Sequence, residues 1–265
     1  GFRKKGGFVG DHDRISGEPI PDHISARWQD IDELLDGLID TDKLLLNSNM
    51  DAVLVSTVIA FGFVFIHPFI DGNGRIHRYL IHDILAKKKF SKQGMIFPVL
   101  SSILDHLDEY KKVLESYSLP LLDFIEWKEK KDHNIEVLGQ TIDYYRYFDA
   151  TIQAEFLYEC VADTLINIIP SEVNYITNYD EFKKYIDDDF EMPDKMVALL
   201  VRFLEQNGGK LSKRARDNEF KSLSEGEINN IESKYDLIFR SGYSGSFSRY
   251  EQREDPDIDI LSKNL

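Results

Sequence analysis

The sequence has little of several features that would each indicate a class of protein. It contains one cysteine, Cys160, which excludes an intramolecular disulfide and a cysteine-ligated zinc cluster. Its 32 Lys and Arg residues face 47 Asp and Glu residues, and the net charge of −15 argues against a nucleic-acid coat or a polybasic membrane anchor. We therefore expect a cytoplasmic protein, since a single cysteine is compatible with a reducing compartment.

A long hydrophobic run is also lacking. Residues 52–66 carry no charge, but this run is shorter than the roughly 20 residues that a bilayer demands. The run contains Ser56, Thr57 and Gly62 and leads directly into His67-Pro68. It therefore predicts a helix buried on all sides in a protein core, without a membrane role.

Elsewhere the apolar residues recur mainly at three- and four-residue steps, which predicts a mostly α-helical protein. Residues 1–22 differ, because their glycines, prolines and charges predict a surface loop or a two-stranded hairpin. Helices are predicted to begin near Ser25, at Ala52, at Arg75 and near Ile103, and further helical segments are predicted at 119–127, 141–169, 180–186, 195–205 and 226–239. The Ser/Gly-rich and then acidic residues 241–265 predict a flexible acidic tail.

The clearest chemical signal is residues 67–78, His-Pro-Phe-Ile-Asp-Gly-Asn-Gly-Arg-Ile-His-Arg. Proline disfavours helical dihedral angles in the residue before it, so the buried helix should stop at His67. Gly72 and Gly74 permit positive φ and a close approach of a ligand to the backbone. The helix that follows directs its free N–H groups and positive dipole end toward this turn, which predicts an anion site.

The charged residues of the turn favour phosphate as the anion. Arg75 and Arg78 lie one helical turn apart, and two guanidinium groups suit several phosphate oxygens. Asp71 alone would repel a phosphate, but it fits if Mg²⁺ bridges the carboxylate to the phosphate oxygens. His67, neutral near pH 7, can take a proton from an incoming hydroxyl. The other common phosphate loops, the Walker loop and Gly-x-Gly-x-x-Gly, do not occur.

These twelve residues resemble the signature of the Fic (Fic/Doc) family, His-Pro-Phe-x-Asp/Glu-Gly-Asn-Gly-Arg-x-x-Arg, and match it at every fixed position. The resemblance spans residues 1 to about 130 and, more loosely, continues to about Phe239. It implies a Fic-type helical bundle with a short β-hairpin flap and a C-terminal helical extension. The implied organisation is a catalytic domain at 1–130 with its flap at about 7–21 and its motif at 67–78, and a helical region at 131–240 that is winged-helix-like at 195–240.

The resemblance also implies an activity. Such a protein would be an adenylyltransferase that moves AMP from ATP to a Ser, Thr or Tyr hydroxyl of a target protein and releases pyrophosphate. By this resemblance His67 is the general base, Phe69 anchors the loop and Asp71 holds Mg²⁺. The implied phosphate-binding residues are Gly72, Asn73, Gly74, Arg75 and Arg78. Doc-type kinases carry a lysine at the position of Gly74, so this glycine favours AMP transfer.

The partners implied by the resemblance are proteins. The flap would pair with a target segment as an added strand, with Phe8 and Val9 as candidate contacts. A second copy of the chain is another candidate, as a target of self-modification or as a partner in a homodimer. The inhibitory pattern Ser/Thr-x-x-x-Glu-Gly/Asn does not occur, although residues 222–226 come near it with the serine three residues before the glutamate. Inhibition would then come from a helix upstream of Gly1 or from elsewhere.

Other functions stay open at this point. Some relatives use UTP or transfer phosphocholine, so the same site suits a different nucleotide or phosphate-containing group. Residues 195–221 could form a DNA-binding helix-turn-helix-like unit, with the motif as a nucleotide sensor; its basic residues are Lys210, Lys213, Arg214 and Arg216. His82-Asp83 also suggests a metal phosphohydrolase, but no second aspartate follows at an obvious partner position.

Overall fold

The computed structural model describes residues 1–91 and 97–240, and these form two compact units, residues 1–168 and residues 169–240. Both units are mainly helical, which confirms the predicted fold class. Residues 131–168 pack with the first unit. The end of the catalytic domain at residue 130 stays a prediction, and the predicted tail at 241–265 lies outside the described residues.

The first unit combines helices with two small hairpins. Strand β1 (Phe8–His12) pairs antiparallel with β2 (Pro19–Ile24), and β3 (Trp127–Glu129) pairs antiparallel with β4 (Ile135–Val137). The helices are α1 (Ile31–Leu46), α2 (Ala52–Ile66), α3 (Asn73–Lys87), α4 (Val99–Asp105), α5 (Leu107–Leu122), α6 (Ile142–Arg146) and α7 (Thr151–Asp163). The hairpin predicted within residues 1–22 is confirmed as β1 and β2.

Helix α2 is the centre of this unit, with α1, α3 and α7 packed against it. Asp51 caps its start, because the carboxylate accepts hydrogen bonds from the backbone N–H groups of Val53 and Leu54. The two hydroxyls inside the helix are satisfied: Ser56 Oγ donates to the Ile81 carbonyl and Thr57 Oγ1 donates to the Val53 carbonyl. Nearly every side chain of α2 is buried, which confirms the predicted core helix. Among the described residues no helix has the length and apolar composition to cross a bilayer.

The second unit has its own apolar core. It contains α8 (Ile169–Asp189), α9 (Asp194–Gln206), α10 (Lys213–Asp217) and α11 (Glu225–Tyr235), and a π-helical turn follows at Asp236–Arg240. Helix α9 ends at Gln206, one residue beyond the predicted segment 195–205, and Gly208 and Gly209 follow in the left-handed region. No strand forms within residues 169–240, so this stretch provides no wing for a winged helix. The predicted short helix at 180–186 is part of the longer α8.

The single long helix predicted at 141–169 is wrong. Helix α6 ends at Arg146 and α7 begins at Thr151, and a π-helical turn at Thr164–Ile168 leads into α8. The break has a local cause, since the Asp149 carboxylate accepts hydrogen bonds from the backbone N–H and the hydroxyl of Thr151. It also has a tertiary cause, because the Phe148 ring packs edge-on against Phe65, with ring centroids 5.2 Å apart.

The helix predicted to start at 119–127 is also wrong. Leu119 and Pro120 lie in the last turn of α5, and the N–H groups of Phe124 and Ile125 donate back to the Leu121 carbonyl and close that helix. Strand β3 then begins at Trp127. The β3–β4 hairpin is too short to show an alternating pattern, and its turn places a non-glycine residue, His133, at φ +57°.

Candidate functional site

The predicted site begins where α2 ends. The His67 N–H donates to the Phe63 carbonyl at 3.1 Å, and His67 itself takes left-handed dihedral angles, φ 53° and ψ 59°. Pro68 follows and has no N–H to extend the helix. The predicted stop at His67-Pro68 is therefore confirmed, and it places the histidine at the entrance to the motif turn.

The imidazole of His67 is half-buried beside a small cavity. Its ring centroid lies 5.9 Å from that of His23 on β2. Burial, together with the nearby His23 and Arg3, lowers the pKa of His67 to about 3. His67 is therefore neutral at pH 7, the protonation state that accepts a proton. The cavity, about 40 Å³, is lined by Val9, Asp22, His23, Val64, Phe65, His67, Lys111, Leu114, Glu115 and Ser118.

Asn73 closes the motif turn on itself. Its side chain is buried and makes two hydrogen bonds to the backbone of Phe69: Oδ1 accepts from the Phe69 N–H and Nδ2 donates to the Phe69 carbonyl, both at 2.9 Å. The Phe69 ring packs against Phe63 and Phe2, with centroids 6.3 and 5.2 Å apart, as expected for a residue that anchors the loop. Both ends of the Asn73 amide are engaged within the turn, so the side chain is not available for a phosphate. The group of Asn73 that could bind a phosphate is its backbone N–H.

Gly72 is the N-cap of α3, with φ 90° and ψ 1°. Side chains other than glycine rarely adopt this conformation, which explains the glycine. Its carbonyl accepts the first helical hydrogen bond, from the Ile76 N–H at 3.0 Å. The helix therefore begins at Asn73, two residues before the predicted Arg75. The N–H groups of the first turn have no partner within the helix and form the positive end of its dipole.

Both motif arginines lie beside this first turn. A Cβ on Gly72 would be 3.6 Å from Nη2 of Arg75, and a Cβ on Gly74 would be 3.7 Å from Nη1 of Arg78. Arg75 Nη2 also forms an ion pair with Asp71 Oδ2 at 3.1 Å, and both side chains are more than half exposed. Two guanidinium groups, a carboxylate and a helix N-terminus thus converge on one turn.

Asp71 has the chemistry of a shared metal ligand but not of a complete metal site. No group of three or more His, Cys, Asp or Glu side chains that could hold a metal occurs within residues 1–91 and 97–240. Mg²⁺ commonly takes one or two carboxylates and completes its shell with substrate phosphates and water. The exposed Asp71 carboxylate fits a cation that arrives with a phosphate ligand.

The sequence interpretation missed Arg3 and His23. Arg3 lies beside Lys4 and Lys5 in the sequence, yet it is 4% exposed. His23 is buried next to His67, and its Nε2 lies 3.0 Å from the Phe65 carbonyl oxygen. Arg3 precedes β1 and His23 lies in β2, and the fold brings both next to His67. No local sequence pattern indicates this.

The unpredicted β3–β4 hairpin contacts the flap segment. Asn134 Nδ2 donates to the Gly6 carbonyl at 2.9 Å, and His12 Nε2 lies 3.0 Å from the His133 carbonyl oxygen. The second hairpin therefore supports the first one on the side of the N-terminal segment. Phe8 is half-buried against the core and Val9 is buried in the cavity beside His67.

The basic residues of the second unit are partly engaged with acids. Glu232 is 2% exposed, and its carboxylate pairs with Arg216 Nη2 at 2.8 Å and with Lys210 Nζ at 3.3 Å. These pairs weaken the basic patch on which a DNA-binding role would depend. In the first unit, His82 contacts the Phe97 backbone and Asp83 pairs with Lys87, so neither is directed at a shared metal.

Two comparisons with known proteins found similarity, one over most of the chain and one over residues 3–85. A crystal structure of a Fic family protein from Desulfovibrio desulfuricans G20 is similar at 21% sequence identity and a TM-score of 0.41. The match covers 87% of this chain and 49% of that chain, so this chain spans about half its length. No curated protein matches the chain. The Fic/DOC family model matches residues 3–85, which include the β1–β2 hairpin and the whole motif at 67–78. Residues 3–85 are therefore similar to the Fic/DOC family.

Proposed function

We propose that the protein transfers AMP from ATP to a hydroxyl side chain of a protein target. The observation that carries this proposal is the junction of two helices: a neutral imidazole at the end of α2 and an anion-binding N-terminus with two arginines at the start of α3. The family match over residues 3–85 supports a transferase of this kind.

In the proposed reaction the hydroxyl oxygen of the target attacks the α-phosphorus of ATP. A new oxygen–phosphorus bond forms, and the bond between the α-phosphorus and the oxygen bridging to the β-phosphorus breaks. The electron pair of that bond leaves with pyrophosphate, and the hydroxyl proton passes to the imidazole of His67. A positioned base of this kind contributes about 10²–10⁴-fold in rate.

The residues of the α3 N-terminus bind the phosphates in this proposal. The N–H groups of Asn73 and Gly74 and the guanidinium groups of Arg75 and Arg78 supply the positive charge. Mg²⁺, when bound at Asp71, would neutralise phosphate charge. The Asp71–Arg75 ion pair must open for this, at little cost because exposed pairs contribute about 0–1 kcal/mol.

The target is expected to approach along the flap. Strand β1 pairs with β2 on one side, and β2 carries His23 into the cavity beside His67. A target segment added to this hairpin would bring its hydroxyl next to Val9 and the base. A second copy of the chain is a candidate target, so self-labelling is one form in which the activity would show.

The decisive experiment is incubation of the purified protein with ATP labelled at the α-phosphate and Mg²⁺, with and without a cell lysate. Label on the protein or on lysate proteins is expected, and His67→Ala should abolish it. His106→Ala is the matched control, because His106 is also the C-cap of a helix, α4, but lies outside the motif. Labelling that survives His67→Ala would show that the base is assigned wrongly.

Nucleotide binding tests the other half of the site. Arg78→Ala should weaken ATP binding in calorimetry, whereas Arg202→Ala on the exposed side of α9 should not. Competition by UTP and by phosphocholine-containing nucleotides would show whether the same site moves a different group. The DNA-binding alternative predicts salt-sensitive DNA retention that is lost in Lys213 and Arg214 variants.

A further inference from the structure

Arg3 is the most deeply buried arginine around the motif, and its charge has an unusual set of partners. Nε donates to the His67 carbonyl at 2.8 Å, and Nη1 donates to the Lys5 carbonyl at 2.8 Å. Nη2 donates to the Ala26 carbonyl and more weakly to the Ile66 carbonyl. Among the described residues no carboxylate forms an ion pair with Arg3, so backbone carbonyls alone receive this buried cation.

The end of α2 explains why a cation is favourable there. The last carbonyls of a helix lack partners within it and form the negative end of its dipole. A helix that ends in a left-handed residue usually satisfies these carbonyls with the N–H groups that follow, but Pro68 has none. Arg3 donates to the carbonyls of Ile66 and His67 instead.

The same contacts fix the conformation of His67. A left-handed conformation costs a non-glycine residue free energy, so surrounding structure must hold it. The Arg3 side chain binds the His67 carbonyl, and the Arg3 backbone N–H donates to the Pro68 carbonyl at 3.0 Å. Arg3 thus holds the chain on both sides of the peptide that follows His67.

We infer that Arg3 is a positioning residue for the proposed base: it holds the end of α2 in the conformation that places the His67 imidazole in the cavity. This inference rests on the proposed function for its catalytic consequence, but not for the geometry. Arg3 also places a positive charge near the imidazole. The other charged or titratable groups that line the cavity around His67 are Asp22 and His23 on β2 and Lys111 and Glu115 on α5.

The test compares Arg3→Met and Arg3→Lys with Lys4→Met, an exposed neighbour of like charge. The first readout is an NMR titration of the protein with labelled histidines, with the His67 signal assigned from His67→Gln. Removing the cation should raise the pKa of His67 in Arg3→Met, and Lys4→Met should leave it unchanged. Arg3→Lys keeps the charge but not the fork of donors, so we expect it to keep the low pKa and still shift the His67 signal.

The second readout is steady-state AMP transfer. Arg3→Met should lower kcat at least tenfold and change the KM for ATP less than twofold, because the phosphate-binding residues of α3 are untouched. If Arg3→Met does not fold, Arg3→Lys carries the test: a wild-type kcat together with an unchanged His67 signal would overturn the inference. A wild-type protein that labels nothing would overturn the proposed function, whereas the NMR titration would still decide the role of Arg3.

Discussion

Helices α9 and α2 both end in the left-handed conformation, but in different ways. Helix α9 passes into Gly208 and Gly209, at φ 61° and 83°, and glycine enters this region at no steric cost. Helix α2 passes into His67 at φ 53°, where a side chain is unfavourable. At both ends a distant arginine donates to the carbonyl of the left-handed residue, Arg240 to Gly208 and Arg3 to His67. Only at His67 does the contact hold a conformation that the side chain makes unfavourable.

The buried charged groups of the two units also differ in the partners they have. In the second unit the buried Glu232 carboxylate is paired with Arg216 and Lys210 and accepts a hydrogen bond from the Leu211 N–H. In the first unit the buried Arg3 has carbonyl partners only. The left-handed histidine and the cation without a carboxylate lie together at the motif, whereas the buried carboxylate of the second unit is paired with cations. Lys89 and His133 also take positive φ, but among these residues His67 is the one in the motif, and backbone strain of this kind is often found at functional sites.

The largest contrast we expect is the response to acid. All seven histidines precede residue 134, so the second unit has none. Burial lowers the pKa of His23 and of His77 to about 4. The unfolded chain binds these protons near pH 6.5, so stability is full above that pH and is lost as pH falls toward 4, by about 1.4 kcal/mol per pH unit for each histidine.

Urea unfolding followed by tryptophan fluorescence measures this, because Trp28 and Trp127 both lie in the first unit. The free energy of unfolding should fall by about 3 kcal/mol between pH 6.5 and pH 5 from His23 and His77, and His67 should add to this loss. His77→Gln should reduce the slope and His12→Gln, at an exposed position, should not. Hydrogen exchange in α9 should respond less to pH than exchange in α2; equal responses would contradict the contrast.

The buried carboxylate of the second unit gives the next largest effect. Glu232→Gln removes the charge that Arg216 and Lys210 share, and we expect a loss of about 3 kcal/mol in the stability of this unit. Glu181→Gln breaks an exposed pair with Lys234 and should cost less than about 1 kcal/mol. Denaturation followed by circular dichroism checks both variants, and equal losses would show that burial of Glu232 is unimportant.

Substitution of one asparagine in each turn compares the motif turn with the turn that follows α9. Asn73→Ala removes two buried hydrogen bonds to Phe69 and should cost about 2 kcal/mol. Asn207→Ala removes one exposed hydrogen bond to the Lys210 carbonyl and should cost under about 1 kcal/mol. Urea midpoints at constant slope provide the measurement. An Asn73 variant as stable as the Asn207 variant would mean that Phe69 and Pro68 hold the motif turn without the amide.

The smallest expected effect isolates the left-handed conformation itself. His67→Gly should be about 1 kcal/mol more stable than His67→Ala, because glycine adopts this conformation without penalty. Gly208→Ala should cost about 1 kcal/mol, since a Cβ there meets no atom within 4 Å and only the backbone conformation is unfavourable. Thermal unfolding of the three variants measures both differences, and a His67→Gly protein no more stable than His67→Ala would show that this helix end is not strained.

Much of the site could be predicted because its residues are contiguous. The stop at His67-Pro68, the turn at Gly72 and the α3 N-terminus follow from local dihedral preferences, and the structure has all three. The two hydrogen bonds from the Asn73 amide to the Phe69 backbone could not be predicted. The sequence of a turn is the same whether its asparagine side chain bonds to the backbone or to a ligand. The break at Asp149 was missed for a similar reason: helical periodicity continues through it, and Phe148 interrupts the helix by packing on a different element.

The sequence by itself determined the mostly helical fold, the buried α2 and the chemistry of the motif, because short-range periodicity and dihedral preferences act between neighbouring residues. Only the tertiary structure decided that Arg3 and His23 lie beside His67, that α9 is followed by α10 and α11 without a strand, and that Glu232 pairs with Arg216 and Lys210. These outcomes depend on which residues, far apart in the sequence, become buried against one another, and this is decided only when the chain folds.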